Sequence, residues 1–116
     1  SYVMFVKADL KAPPIPVVFP DGISTGEDLL VREETLYALA NLRKPKGQYI
    51  VFVYRTRDPL ESDSWEEVLR FECANKARSF ELHDGTFYFG LGCEAEDDVA
   101  FAGSLLCCRI DSDDDD

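Results

Sequence analysis

Apolar residues recur along this chain in short runs, most of them alternating with polar positions at a spacing of about ten residues, a rhythm that predicts strands. The opening run, Tyr2 to Val6, is apolar without a break, as in a strand buried on both faces, and gives way to Lys7, Asp9 and Lys11. Pro13, Pro14 and Pro16 interrupt any ladder there. Ile15 to Phe19 predicts a short strand closed by the turn Pro20-Asp21-Gly22. Tyr49 to Thr56 is a dense β-branched and aromatic strand, and Arg57 to Ser64 is a polar loop ahead of Trp65. Leu69, Phe71 and Cys73 then share one face and Val68, Arg70 and Glu72 the other. Phe80 and Leu82 lead into the turn His83-Asp84-Gly85-Thr86, after which Phe87, Phe89 and Leu91 alternate again. In the last predicted strand Val99, Phe101, Gly103, Leu105 and Cys107 alternate with Ala100, Ala102 and Ser104. Glu27 to Arg43 is ambiguous. At helical period Leu29, Leu36, Leu39 and Ala40 form a loose apolar face capped by Thr25; at period two Leu29, Val31 and Glu33 alternate with Leu30, Arg32 and Glu34. Composition leans to helix. The remainder reads as an all-β sandwich or barrel without internal repeats.

With 116 residues, 46% of them hydrophobic, the chain fits one domain with a real core, residues 1–110, and residues 111–116 begin an acidic disordered tail. In that tail Asp111, Asp113, Asp114, Asp115 and Asp116 repel one another too strongly to fold. Taking those five aspartates off the formal net charge of −11 still leaves −6 on the domain. Such a field repels nucleic acid and anionic lipid and draws in basic proteins, so neither direct nucleic-acid nor membrane binding is expected. No apolar run approaches the roughly 18 residues a membrane helix needs, which predicts a soluble protein. Cys73, Cys93, Cys107 and Cys108 are scattered, with no leader sequence ahead of them, and suit a reducing intracellular compartment. A domain that stops inside an acidic run is expected to continue past Asp116.

Outside the tail the acid concentrates in two loops. Asp58, Glu61 and Asp63 belong to one, and Glu94, Glu96, Asp97 and Asp98 to the other. Catalytic signatures are missing. His83 beside Asp84 is the sole histidine, and neither a Gly-x-Ser-x-Gly elbow nor any other nucleophile signature accompanies it, so no enzyme is expected. Adjacent Cys107 and Cys108 point to opposite faces of a strand and no Cys-x-x-Cys pair exists, so no metal site is expected. Gly90-Leu91-Gly92 lacks the third glycine and the lysine of a phosphate loop, and no cofactor is expected. Trp65 reads as core. Ser112, followed by three aspartates, is a candidate phosphorylation site that would add charge to the tail.

The order of segments resembles the nucleoplasmin family, including the nucleoplasmin-like domain of some FK506-binding proteins and of plant histone-deacetylase-type proteins. Phe5-Val6-Lys7-Ala8 resembles the opening strand and Leu29 to Leu36 the family's Leu-x-Ile-x-x-x-Thr-Leu strand. Tyr49 to Tyr54 is similar to its apolar middle strand and Ser79-Phe80-Glu81-Leu82 to its Phe-Glu-Leu strand. Val99-Ala100-Phe101-Ala102-Gly103 is similar to its closing strand, after which the acidic tract begins. Proline-rich Lys11 to Pro20, the long stretch Ala38 to Lys46 and an aromatic insertion, Phe87 to Gly92, before the last strand depart from the pattern. The resemblance implies an eight-stranded jelly-roll sandwich assembled as a pentameric ring, sometimes a decamer. It also implies a nuclear or nucleolar chaperone of histones or other basic nuclear proteins, and makes Leu29 to Leu36 a strand.

The expected function is thus a non-enzymatic acidic chaperone whose carboxylates hold Lys and Arg side chains of a basic partner, individually weakly and together strongly. The rival is a protein-interaction module of a cytoplasmic scaffold or trafficking protein. A ubiquitin-like version needs a helix at Glu27 to Arg43, and a pleckstrin-like version needs a terminal helix at Glu94 to Cys108.

Overall fold

A computed structural model describes residues 2–5, 15–20, 25–92 and 103–110. Nine strands run through them: β1 (Tyr2–Phe5), β2 (Ile15–Val18), β3 (Thr25–Arg32), β4 (Thr35–Arg43), β5 (Tyr49–Thr56), β6 (Glu66–Cys73), β7 (Ala77–His83), β8 (Thr86–Leu91) and β9 (Leu105–Arg109). The only helical elements among the described residues are 3₁₀ turns at Pro45–Gly47 and Ser62–Ser64. The protein is therefore all-β, with nine described strands where the resemblance implies eight. They form an antiparallel meander β3-β4-β5-β6, a second meander β7-β8-β9, and the hairpin β1-β2.

The helical reading of Glu27 to Arg43 is overturned, and with it the ubiquitin-like alternative. The segment is a hairpin, turning at Glu33-Glu34 with Arg32 opposite Thr35, so Leu29 to Leu36 is not one strand either. The helical signal arose because β4 is buried on both faces. Leu36, Ala38 and Ala40 point one way and Leu39 and Asn41 the other, all buried, so period-two alternation cancels. The pleckstrin-like terminal helix fails at its end, since Leu105–Arg109 is strand; residues 94–102 of that expected helix lie outside the described residues.

The four-stranded sheet is the middle layer. Against one face β7-β8-β9 packs a core of Leu30, Leu39, Val51 and Val53 on Phe80, Phe87, Phe89 and Leu91. Phe87 to Gly92 is accordingly no insertion, because β8 is the central strand of its sheet. On the opposite face Val17 and Phe19 of the β1-β2 hairpin region and Trp65 cover Ala38, Ala40, Phe52 and Tyr54. The small alanines let that layer approach closely, and Phe19 meets Trp65 edge-on at 5.2 Å.

Two sequence-derived faces shift. A bulge between Val53 and Tyr54 leaves Val68 without a partner residue, so it joins Leu69 and Phe71 in the core and leaves Arg70 and Glu72 outside. In β9 the core face is Leu106 and Cys108, continued by Ile110, whereas Leu105 and Cys107 are exposed. Gly103, at φ 77°, turns the chain just before the strand, and Val99 to Ala102 of the expected strand lie outside the described residues.

Asn41 locks the two sheets together. Its side-chain amide donates to the Ala77 carbonyl at 2.8 Å, and its oxygen accepts from the Ala77 N–H at 3.1 Å, all in the interior. Asn41→Leu is expected to cost about 2 kcal/mol or more, because it strands two buried backbone groups. Urea unfolding measures it.

Candidate acidic pole

Strand direction decides which loops share an end of the molecule. The β3-β4 turn, the β5-β6 loop and the β7-β8 turn all lie at one pole, because β3 and β7 run side by side in the same sense. Glu27 pairs with Lys76 at 3.2 Å near the start of both, and Arg32 pairs with Glu81 near their ends. β9 also finishes at this pole, where the Ile110 N–H donates to the Gly85 carbonyl at 3.0 Å. Ile110, the last described residue before the aspartate run, thus lies among the three turns.

Those turns present exposed Glu33 and Glu34, Asp58, Glu61 and Asp63, and Asp84. The middle loop is built to hold its acids out. The Thr56 hydroxyl accepts from the Asp58 N–H at 2.9 Å and shares a hydrogen bond with the Ser64 hydroxyl, which also donates to the Asp58 carbonyl at 2.7 Å. The Glu61 N–H donates to that carbonyl at 3.0 Å, and the Ser64 N–H donates to the Glu61 carbonyl at 3.0 Å. Within the three turns Arg57 is the one cation of the described residues. Between the first two turns lies a polar cleft of about 450 Å³, walled by Thr35, Tyr37, Arg55, Arg57, Asp58 and Ser64 among others. Arg55 donates to Glu66 at 2.7 Å, which holds the guanidinium more firmly protonated than usual. Farther along β6, the Arg70 guanidinium hydrogen-bonds Glu67 and holds its carboxyl below the usual carboxylate range.

The first turn is also strained. Both its residues have positive φ, 50° at Glu33 and 67° at Glu34, as a two-residue hairpin of the primed kind requires. The β7-β8 turn meets the same demand with Asp84-Gly85. Glutamate is poorly suited to this backbone, at a cost on the order of 1 kcal/mol per residue.

Among the described residues the opposite pole carries Arg43, Lys44, Lys46, Lys76 and Arg78 in its connections and strand ends, together with Glu27 and Glu72. Lys44 there pairs with Glu72 at 3.3 Å.

Of the residues singled out in the sequence, Asp58, Glu61 and Asp63 are brought to the root of the tail. The tail itself, Asp111 and Asp113 to Asp116 with Ser112, lies outside the described residues, as do Glu94, Glu96, Asp97 and Asp98. The neighbours of that second loop, Gly92 and Gly103, sit at the opposite pole, where the Gly92 N–H donates to the Lys76 carbonyl at 2.7 Å. Sequence reasoning missed Glu33 and Glu34 because nothing in Glu-Glu signals a turn, and it read Asp84 as a turn residue beside His83 and not as part of an acidic surface. His83 is exposed at the end of β7 and lines neither principal cavity. No group of three potential metal ligands occurs among the described residues, and none of their helices is long and apolar enough to cross a membrane. Comparison of the chain with family models, with curated proteins and with solved structures finds no match.

Proposed function

We propose that this chain is a non-enzymatic acidic chaperone that captures histones or other basic nuclear or nucleolar proteins through its acidic pole and tail. The observation that carries the reading is convergence: three turns far apart in sequence bring six exposed carboxylates to the end from which the aspartate run departs. Each carboxylate is worth little against an exposed Lys or Arg, and their sum sets the affinity. A ring-forming subunit of jelly-roll type, five to a ring or two rings face to face, is the second part of the proposal. It rests on the nucleoplasmin resemblance and on the gain from multiplying tails around one axis.

The test is capture of a core-histone mixture by the full chain and by a chain lacking residues 111–116, each at low and at raised salt. Truncation is expected to weaken capture several-fold, and salt to weaken both forms, the intact one more steeply. Capture unchanged by either treatment would discard the mechanism. Native mass decides the ring separately: a lone subunit removes the pentamer and leaves the pole.

A further inference from the structure

Arg57 is out of keeping with its surroundings. It is exposed among the carboxylates of the acidic pole, yet it makes no ion pair with any described residue. Two positions earlier the chain does otherwise: Arg55 stands opposite Glu66 in the register of β5 and β6 and bonds it at 2.7 Å. Continuing that register by two residues brings Arg57 opposite Ser64, and both line the same polar cleft of about 450 Å³, together with Arg55. A cation there faces a neutral hydroxyl, where the adjacent pair sets a cation against an acid.

The sequence that follows Ser64 is acidic. Glu66 and Glu67 stand at the second and third positions after it, and both are exposed. They open β6, an outermost strand of its sheet, so the segment from Ser64 to Glu67 lies where a sheet opens most readily. Carboxylates at those positions suit the cationic substrate groove of an acid-directed protein kinase. Ser62 is more exposed than Ser64, but the third residue after it is buried Trp65, and it lies outside the cleft that holds Arg57.

We infer that Ser64 is a phosphorylation site for an acid-directed kinase and that Arg57 receives its phosphate across the hairpin. The γ-phosphoryl group of ATP passes to the Ser64 Oγ: a P–O bond forms there as the bond from phosphorus to ADP breaks, and the hydroxyl proton leaves to the base of the kinase. The loop survives the change. Ser64 has one hydroxyl proton, which it gives to the Asp58 carbonyl at 2.7 Å, so the Thr56 hydroxyl is the donor in the bond between the two side chains. Phosphorylation removes only the first of these bonds. The Asp58 carbonyl keeps the Glu61 N–H at 3.0 Å, and Oγ still accepts from Thr56. The phosphate dianion enters the cleft beside Arg57 and becomes for it the cross-strand partner that Glu66 is for Arg55. This site is independent of the capture of basic proteins.

The full chain carrying Ser112→Ala, so that a single resonance is read, is treated with an acid-directed casein kinase and MgATP. Tandem mass spectrometry locates the phosphate, and phosphorus NMR follows its titration. Transfer to Ser64 is expected. Arg57→Gln is then expected to raise the second ionisation of that phosphate by about half a pH unit, because loss of a neighbouring cation disfavours the dianion. Arg70→Gln is the control: it removes the same charge from the other face of the sheet, where Arg70 lies over the Phe52 ring, and is expected to leave the titration unmoved. Transfer to Ser62 in place of Ser64, or no transfer at all, overturns the assignment of the site. Equal titrations in the Arg57→Gln and Arg70→Gln forms overturn the role of Arg57. No histone enters the experiment, so either this site or the capture of basic proteins can fail alone.

Discussion

Phe87→Ala is expected to lower the unfolding free energy by about 3–5 kcal/mol, a large share of what holds a domain of this size together. Phe87 is fully buried near the start of β8, the central strand of its sheet. It meets Tyr37 edge-on at 5.7 Å across the sheet interface and stacks on Phe80 and Phe89 at 5.9 and 6.2 Å within its own sheet. Truncation removes the ring from both sets of contacts. The void cannot collapse cheaply, because β8 is hydrogen-bonded to β7 on one side and to β9 on the other. Tyr88→Ala is the matched control: it is the next residue on the same strand, faces outward, and is partly exposed, so a loss below about 1 kcal/mol is expected there. Urea midpoints at constant m-value separate the two. Equal, small losses at both positions would mean that the aromatic row of β8 does not lie between the sheets.

How far such a packing arrangement is legible depends on how many faces of a strand are buried. The strand Tyr49 to Thr56 and the hairpin around Asp84-Gly85 stand where β-propensity and turn chemistry place them, because local preference and tertiary role agree there. β4 carries apolar residues toward both neighbouring layers, so its pattern resembles a helix as much as a strand. The face of β9 was equally unreadable, since Leu105-Leu106 and Cys107-Cys108 put the same residue type on each side and only the register with β8 fixes which side is inward. Val68 moved to the core through a bulge, which shifts register without leaving a mark in composition. For the acidic pole, Asp58, Glu61 and Asp63 were visible as a charged loop. That they share an end with Glu33, Glu34, Asp84 and the root of the tail is a consequence of strand direction, which no local signal carries.

The same contrast between local preference and placement sets up a test of the pole. Replacing Glu33-Glu34 with Asn-Gly supplies the residues that a two-residue turn with two positive φ angles favours. The double variant is expected to be more stable by about 1–2 kcal/mol, by relief of backbone strain. It also deletes two of the six pole carboxylates, and at low salt its affinity for a core-histone mixture is expected to fall roughly fivefold, on the scale of two exposed ion pairs. Glu33→Gln with Glu34→Gln separates the causes. It keeps the strained backbone, so stability is expected to stay within about 0.5 kcal/mol of the parent, while it loses the same charge and the same affinity. Stability measured by urea and capture measured by titration then move together in one variant and apart in the other. If the Asn-Gly chain is stabilised and still captures histones at full strength, these glutamates play no part in holding the client. If it is not stabilised, the turn lacks the positive-φ geometry described for it.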